Sequence, residues 1–267
     1  MSEASISVII PNYNRTEQLK IAITSVLQQT LQPLEILVCD DGSTENIEAV
    51  VSAFKSEKLK FIPCGKNNRP AVPRNKGIDL AKGEWLAFLD NDDSWLPNKL
   101  ELQWAETEKA DMICSNAQVY RDNASIGTMH NATGDVMLNF YQMVQTNKVI
   151  CSSVLVKRTA VLKAGNFPEN TELRALEDYA LWLRISTFAT IKFIDLPLVN
   201  YNDASSTSIR KDSLTTAQQM ALIHKSFVQW YANFKGADSH YLDLANEVLL
   251  RRYLTKFQKN LHRLRNS

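Results

Sequence analysis

The stretch EWLAFLDNDDSW, from Glu84 to Trp95, joins an apolar run to three carboxylates within four residues. The apolar run Glu84–Leu89 is short and bounded by polar residues, which is typical of a buried strand. Carboxylates that follow a buried strand this closely repel one another unless a positive charge lies among them. The stretch therefore predicts a charged site at one edge of a central sheet.

The segments around this strand alternate between strand and helix patterns. Apolar β-branched runs predict strands, and apolar residues at helical spacing predict the helices between them. Such an alternation favours an α/β fold with a mostly parallel central sheet and helices on both faces. The predicted strands are Ile6–Ile10, Glu35–Cys39, Leu59–Ile62, Glu84–Leu89 and Asp111–Asn116, and the predicted helices are Thr16–Thr30, Thr44–Phe54, one ending near Lys82 and one beginning around Pro97.

The second half of the chain is less regular. The polar segment Arg121–Asp135 indicates a loop or a hairpin, Val136–Asn147 a helix and Val149–Val156 a strand. A helix is predicted over Glu177–Phe188, with Trp182 and its neighbour Leu183 facing inward. From residue 213 onward the pattern is mostly helical, which predicts a helical C-terminal extension.

Composition excludes some classes of function. Thirty basic and twenty-nine acidic residues leave a net charge of +1, so no global field favours a nucleic-acid partner. The N-terminus lacks a basic leader, and no apolar run reaches the ~18 residues that span a bilayer. The four cysteines lie far apart without a CxxC pair, and neither they nor the four histidines show metal-ligand spacing. We expect a soluble cytoplasmic protein with free thiols.

Polar motifs follow three of the predicted strands. They read PNYNR after the first strand, CDDGST after the second and LDNDDSW after the fourth. Ligands of open parallel sheets bind beyond the carboxyl ends of the strands, so these motifs are expected along one edge. Each motif also has a purely structural interpretation, because Asp40, Asp41 and Ser43 are turn formers and Asp93 is a possible helix cap.

The DxD pattern of Asp90 and Asp92 goes beyond turn formation. Two adjacent carboxylates suit a divalent cation with oxygen ligands, and Mg²⁺ and Mn²⁺ commonly keep positions open for phosphate oxygens. The pattern therefore suggests a nucleotide diphosphate ligand.

Five motifs in order, PNYN, DDGS, RNKG at Arg74–Gly77, LDNDD and LEDYALWLR at Leu176–Arg184, resemble the family-two glycosyltransferases. These are inverting enzymes of GT-A fold, and the resemblance runs from about Ser5 to Tyr201. It implies a UDP-sugar donor, a glycan or lipid-linked saccharide acceptor, and a role in bacterial surface-glycan assembly such as that of lipopolysaccharide. We accordingly place a GT-A catalytic domain at 1–205 and the helical extension at 206–267.

The resemblance also implies roles for single residues. Pro11, Tyr13 and Asp41 would hold the base, and Arg74 would lie near the diphosphate or the base pocket. Asp90 and Asn91 would face the ribose and the metal, with Asp92 as the direct ligand of Mn²⁺ or Mg²⁺ and Asp90 beside it. Asp178 would act as the general base, with Glu177 as its support or as the alternative base.

Two other functions compete with this interpretation. A phosphotransferase of the haloacid dehalogenase type also carries DxD after a strand, but on its first strand, whereas DNDDSW follows the fourth. A non-catalytic nucleotide-sugar-binding module would keep the donor pocket without needing a base.

Two segments keep two interpretations each. Tyr201–Lys211 is either a closing loop or a linker. The basic tail from Arg251 is either a packed helix or a peripheral membrane contact, at the inner face of the cytoplasmic membrane.

Overall fold

The computed structural model describes residues 4–67, 69–122, 124–203, 214–234 and 239–251. The first half contains β1 (Ile6–Asn12), α1 (Thr16–Leu27), β2 (Glu35–Asp40), α2 (Ile47–Ser52), β3 (Leu59–Pro63), α3 (Ala71–Leu80), β4 (Trp85–Phe88), β5 (Ser94–Trp95) and α4 (Lys99–Trp104). The second half contains β6 (Met112–Arg121), β7 (Ala124–Thr128), β8 (Val136–Leu138), α5 (Phe140–Gln145), β9 (Leu155–Lys157), α6 (Arg158–Lys163), α7 (Glu177–Ile185), β10 (Ile191–Asn202) and α8 (Thr216–Tyr231). Single 3-10 turns lie at Cys151–Ser153 and Thr171–Leu173, and a further helix covers 240–251.

The strands form one sheet in the order β3-β2-β1-β4-β9-β6-β10-β5, with β7 paired to β6 and β8 to β10. β3, β2, β1 and β4 are parallel neighbours, which confirms the prediction from the alternating pattern. β9 is antiparallel to both β4 and β6, so β6 and β10 regain the direction of the first four strands. The carboxyl ends of β1, β2 and β4 therefore share one edge.

Strands β1, β2 and β4 are buried on both faces, whereas β3 at the sheet edge is mostly half-buried. Every residue of β1 is buried, and its side chains alternate between two hydrophobic clusters. Ile9 packs in the cluster that contains Phe88, whereas Val8 and Ile10 pack in the cluster beneath α1. Helix α3 lies very close to β1 at Gly77, which has no side chain. A Cβ added there would come within 2.6 Å of the Ile9 side chain. This approach brings Arg74 to the sheet edge.

Two predicted elements of the second half were wrong in part. Val136–Leu138 is strand β8, not the start of a helix, because it pairs with Ile191–Phe193 of β10. Most of the predicted strand Val149–Val156 is instead an irregular segment and a 3-10 turn, and only its end enters β9. The segment after Arg121 forms a hairpin through β7. The sequence patterns did not predict β10.

Helix α8 packs on α7, and the two share one hydrophobic cluster with the sheet. Phe227 lies 5.1 Å from Phe140 between ring centroids, and Tyr231 is buried beside it. Within the ranges given above, no helix is long and apolar enough to cross a bilayer. The four cysteines are free thiols. Residues 204–211 of the Tyr201–Lys211 segment and the tail from 252 lie outside the described residues.

Candidate active site

A cavity of about 390 Å³ opens beyond the carboxyl ends of β1, β2 and β4. Residues from the loops after these strands line it, together with residues of α3 and of the first turn of α7. All the site residues predicted from the sequence lie in its wall: Pro11, Tyr13, Asp41, Arg74, Asp90, Asn91, Asp92, Glu177 and Asp178. The chain therefore brings together motifs that are up to about 170 residues apart in the sequence.

Asn12 connects the three strand ends. Its amide Nδ2 donates to Asp40 Oδ1 over 2.8 Å, and its Oδ1 accepts from the Nδ2 of Asn91 over 2.7 Å. Asn12 is 2% exposed and pairs with Asp40 in the β-sheet register. These bonds fix the loops after β1, β2 and β4 relative to one another. Asn12 belongs to the PNYN motif, but the motif alone does not indicate this connecting role.

The two aspartates of CDDGST differ in their surroundings. Asp40 accepts from the backbone N–H of Ser43 over 2.9 Å, so its predicted structural role in the turn is present. Asp41 faces the cavity and accepts from the backbone N–H and the side-chain Nδ2 of Asn67, over 2.9 and 3.0 Å. Tyr13, across the cavity wall, is 42% exposed. A planar ring held near Asp41 would contact the carboxylate of Asp41 and the aromatic ring of Tyr13.

Arg74 joins two of the motifs. Its Nη2 lies 2.6 Å from Asp90 Oδ1, and its Nη1 lies 2.9 Å from Glu177 Oε1. Arg74 is only 5% exposed, and its guanidinium lies 5.4 Å from the ring centroid of Phe167. Burial lowers the pKa of Arg74, but the carboxylates of Asp90 and Glu177 outweigh it and raise that pKa well above its ordinary value. The guanidinium is thus a permanent cation between two acids.

Asp92, in the same DNDD loop as Asp90, forms an ion pair with Arg15 at the start of α1. Arg15 adopts the left-handed conformation, with φ of 61°, at the start of α1. Burial, followed by the charge of Asp90, raises the pKa of Asp92, while Arg15 opposes that rise. Arg15 belongs to the PNYNR motif. Its partner Asp92 lies 77 positions away, so no local sequence pattern predicts their ion pair.

Asp93 points away from the cavity and does not cap α4. It is 3% exposed, and it accepts from Ser152 Oγ over 2.5 Å and from the backbone N–H of Asn202 over 2.9 Å. Burial, followed by the charges of Asp92 and Asp90, raises the pKa of Asp93 well above its ordinary range. Asp93 therefore holds the DNDD loop against the end of β10.

Glu177 and Asp178 begin α7, where carboxylates are stabilised by the helix dipole. Glu177 is 5% exposed, and its Oε1 is held by Arg74. Asp178 is half-buried in the cavity wall, and its Oδ1 accepts the backbone N–H of Tyr179 over 2.7 Å. Asp178 is thus the more accessible of the two acids.

Cys151 also lines the cavity. Burial raises the pKa of its thiol well above the ordinary value, against the opposing charge of Arg74. Because the thiolate is the nucleophilic form, we assign Cys151 no covalent role.

The residues of the DNDD loop fit a divalent cation. Asp90 and Asp92 present carboxylate oxygens to the cavity, the donors that Mn²⁺ and Mg²⁺ take in proteins. Burial, followed by the charge of Asp90, raises the pKa of Asp92, and a cation bound here would stabilise its carboxylate form. In the described parts of the chain no three His, Cys, Asp or Glu side chains are placed to hold a metal together. A cation here would complete its shell with phosphate oxygens and water, as Mg²⁺ ordinarily does.

The cavity wall also contains residues that were not predicted as site residues. Tyr201, Asn202 and Asp203 reach it from the end of β10, at the start of the predicted loop or linker. Arg69 reaches it from the segment before α3, and Arg174 from the segment before α7. Neither arginine belongs to a recognisable motif, so no sequence signal identified them.

Comparison with known proteins gives a consistent picture. The sequence profile of Glycosyl transferase family 2 matches residues 7–165. The Escherichia coli protein WfaP, named UDP-Glc:alpha-D-GlcNAc-diphosphoundecaprenol beta-1,3-glucosyltransferase, is 34% identical over 185 residues, covering 67% of this chain and 69% of WfaP. WfgD of Escherichia coli, which carries the same activity name, is 31% identical and covers 69% of this chain and 71% of WfgD.

Other relatives are much longer than this chain. An uncharacterized glycosyltransferase of Rickettsia conorii is 35% identical over 217 residues, and the match spans 79% of this chain but 35% of that protein. Among solved structures, residues 1–349 of S. aureus TarS with UDP-GlcNAc match with a TM-score of 0.75 at 17% identity, covering 94% of this chain and 72% of that one. This likeness confirms the predicted GT-A fold.

Proposed function

The chain belongs to glycosyl transferase family 2, and we propose that it transfers a hexosyl or N-acetylhexosaminyl residue from a UDP-sugar to a saccharide acceptor, with inversion at the anomeric carbon. The observation that carries this proposal is the single cavity that unites the strand-end motifs with Glu177 and Asp178. A donor pocket and a candidate base in one wall suit group transfer, whereas binding alone needs no base. The chain's family excludes the phosphotransferase alternative.

The donor would lie along the ends of β1, β2 and β4. Asp41 would accept an N–H of uracil beside Tyr13 and Pro11, a contact that a base without that N–H leaves unpaired and therefore disfavours. Asp90 and Asn91 would face the ribose, and Asn91 is already oriented by its bond to Asn12. Arg74 would act through Asp90 and Glu177, because both ends of its guanidinium contact those carboxylates.

In the reaction the acceptor hydroxyl attacks the anomeric carbon opposite the diphosphate. Asp178 takes the hydroxyl proton as the new C–O bond forms, and UDP leaves with the electron pair of the old bond. Glu177 supports this step through the Arg74 contact, which fixes the first turn of α7. Asp92, with Asp90 beside it, would hold a Mn²⁺ or Mg²⁺ ion that neutralises charge on the leaving diphosphate.

The acceptor that we propose is a saccharide carried on a lipid diphosphate, in bacterial surface-glycan assembly. The activity names of WfaP and WfgD, which specify a GlcNAc-diphosphoundecaprenol acceptor, support this choice. An accessible Asp178 with free cavity wall toward Arg174 leaves room for an acceptor beside the donor.

Calorimetric titration with UDP, GDP, CDP and NAD, each with and without Mn²⁺, tests the donor site. We expect Mn²⁺-dependent binding of UDP alone, and its loss in Asp92→Asn. Binding that ignores the metal in both proteins would exclude Asp92 as a ligand. UDP binding without release of UDP from any UDP-sugar, in the presence of GlcNAc-diphosphate lipid and other saccharide acceptors, would identify a non-catalytic binding module.

We also propose that the protein works at the inner face of the cytoplasmic membrane, where a lipid-linked acceptor is presented. The basic residues from Arg251 onward support this, since each basic side chain near an anionic surface contributes about 1 kcal/mol. The full chain should sediment with anionic liposomes, and a chain ending at residue 251 should stay in the supernatant. Equal recovery of the two in the supernatant would exclude the tail as a membrane contact.

A further inference from the structure

Two arginines line the cavity that also contains the proposed base. Arg69 and Arg174 line the main cavity together with Glu177 and Asp178, and both also line a smaller neighbouring pocket bounded by Pro168. The two pockets share these arginines, so the wall continues from the candidate base outward to the surface. Arg174 precedes Asp178 by four positions and is exposed, and Arg69 is half-buried.

The nearby acids already have other partners. Glu177 is held by Arg74, and Glu172 pairs with Lys225 over 3.0 Å. Glu169 also lines the smaller pocket, and its Oε1 accepts from the neutral Nδ2 of Asn75 over 2.9 Å. Arg69 donates to the backbone oxygen of Glu169, over 2.9 Å, and not to a carboxylate. Across the described ranges, no carboxylate forms an ion pair with Arg69 or Arg174.

The other two arginines of the cavity, Arg15 and Arg74, form ion pairs with carboxylates. Arg15 pairs with Asp92, and Arg74 pairs with Asp90 and Glu177, so the protein itself neutralises them. Arg69 and Arg174 are therefore the cavity arginines that the described carboxylates leave without an ion pair, so their guanidinium groups are available to an anionic ligand. A guanidinium binds phosphate oxygens in a bidentate fork, and two of them suit a diphosphate better than a single carboxylate.

We propose that Arg69 and Arg174 bind the diphosphate of the acceptor lipid, at a site separate from the donor diphosphate. This inference rests on the proposed function. A sugar whose hydroxyl contacts Asp178 carries its anomeric diphosphate about one ring away, and the arginines that line both this cavity and the smaller pocket would receive it there. In the proposed function the donor diphosphate would lie instead beside Asp92, at the ends of β1 and β4.

Steady-state kinetics separate the two diphosphates. The acceptors are GlcNAc joined through a diphosphate to an alkyl chain, and the alkyl glycoside of GlcNAc that lacks the diphosphate. We expect Arg69→Ala and Arg174→Ala each to raise the KM for the diphosphate acceptor about tenfold or more, which is the effect of losing one charge-assisted hydrogen bond. The kcat, the KM for the alkyl glycoside and the affinity for UDP should stay unchanged.

Two further variants control for charge and folding. Arg174→Lys keeps the charge but loses the fork, so its KM should lie between those of the wild type and Arg174→Ala. Lys109→Ala removes an exposed cation outside the cavity and should behave as the wild type. Equal KM changes for both acceptors, or a parallel loss of UDP affinity, would overturn the proposal.

A binding experiment does not depend on the acceptor sugar. Geranyl diphosphate, titrated into protein saturated with UDP and Mn²⁺, should bind the wild type and not the Arg69→Ala/Arg174→Ala double variant, and geraniol should bind neither. Displacement of UDP by geranyl diphosphate, or equal binding to the double variant, would contradict a separate site. If geranyl diphosphate binds as expected but no acceptor yields product, the proposed function fails while the anion site stands.

Discussion

At the scale of single residues, Asp178 is the side chain on which the proposed chemistry depends. General-base catalysis typically contributes about 10² to 10⁴ in rate, so Asp178→Asn should lower kcat by that factor. UDP affinity should not change, because in the proposed function Asp178 contacts the acceptor and not the nucleotide. Rates of UDP release and calorimetric titration measure the two effects.

A matched control for this variant is Glu172→Gln, which changes an exposed acid in the turn before α7. Its activity should equal that of the wild type. If Asp178→Asn retains more than a tenth of the rate while Glu177→Gln abolishes it, Glu177 is the general base and Asp178 is its support.

Arg15 occupies the position next to Asp92 that a cation would take. Breaking this partly exposed ion pair costs roughly 0.5–1 kcal/mol, so its removal should tighten Mn²⁺ binding to the donor-free protein about two- to fivefold. Arg15→Asn is the suitable change, because asparagine tolerates the left-handed conformation. Manganese electron paramagnetic resonance measures the free ion during titration.

Lys55→Asn provides the control for Arg15→Asn, since Lys55 has a φ of 51° but lies on the surface outside the cavity. Its Mn²⁺ affinity should not change. Weaker Mn²⁺ binding by Arg15→Asn would show that Arg15 assists the ion instead of competing with it.

The candidate site was predictable to the extent that it lies in motifs. Polar residues at strand ends identified the part of the cavity wall that follows β1, β2 and β4, because parallel strands bring their carboxyl ends to one edge. Their partners were not predictable. Arg74 contacts Glu177 across 103 positions, and Ser152 contacts Asp93 across 59, and only the folded chain creates these neighbours. The roles assigned to the wall residues stay predictions.

At the scale of elements, Arg74 connects α3, the DNDD loop and α7. Arg74→Met would leave Asp90 and Glu177 without a counter-charge, and breaking a buried pair typically costs about 3–5 kcal/mol. In the Arg74→Met/Glu177→Gln double variant, the loss in free energy of unfolding should be smaller than the sum of the two single losses by more than about 1 kcal/mol. That difference is the coupling expected of residues in contact. Urea unfolding of the four proteins measures this coupling.

Arg121→Met is the matched comparison, because Arg121 forms an exposed pair with Asp203. Such an exposed pair contributes little to the free energy of unfolding, because water screens both charges. If Arg74→Met costs no more than Arg121→Met, the buried arginine does not connect the three elements.

The first-half elements were predictable because their patterns are local. Strands β1, β2 and β4 are short apolar runs bounded by polar residues, and both faces of each are covered. β8 and β10 depend instead on each other. Val136–Leu138 is compatible with the start of a helix, but its pairing with Ile191–Phe193 makes it a strand. β10 contains Pro197 at a register shift, which interrupts the pattern of a strand.

At the scale of the whole molecule, the C-terminal helices and the catalytic half share one core. Met220, Ile223, Phe227 and Tyr231 of α8 are buried in the cluster that contains Trp182 of α7. Arg184 of α7 donates to Ser226 Oγ of α8 over 3.1 Å. Because α7 carries Glu177 and Asp178, α8 supports the helix that presents the proposed base. The division that we proposed after residue 205 therefore separates parts of the chain that pack together.

A chain ending at residue 203 should consequently lose its fold. Phe227 and Tyr231 each bury on the order of 150–250 Å² of surface, which corresponds to roughly 8–12 kcal/mol for the pair as an upper estimate. That amount is comparable with the total stability of a typical domain, about 5–15 kcal/mol. We expect the shortened protein to aggregate or to show no cooperative thermal transition, whereas a chain ending at residue 251 melts like the full protein. Circular dichroism melts and size-exclusion chromatography distinguish the two. A shortened chain that remains monomeric, melts cooperatively and binds UDP would instead establish 1–203 as an independent domain, with α8 as an accessory layer.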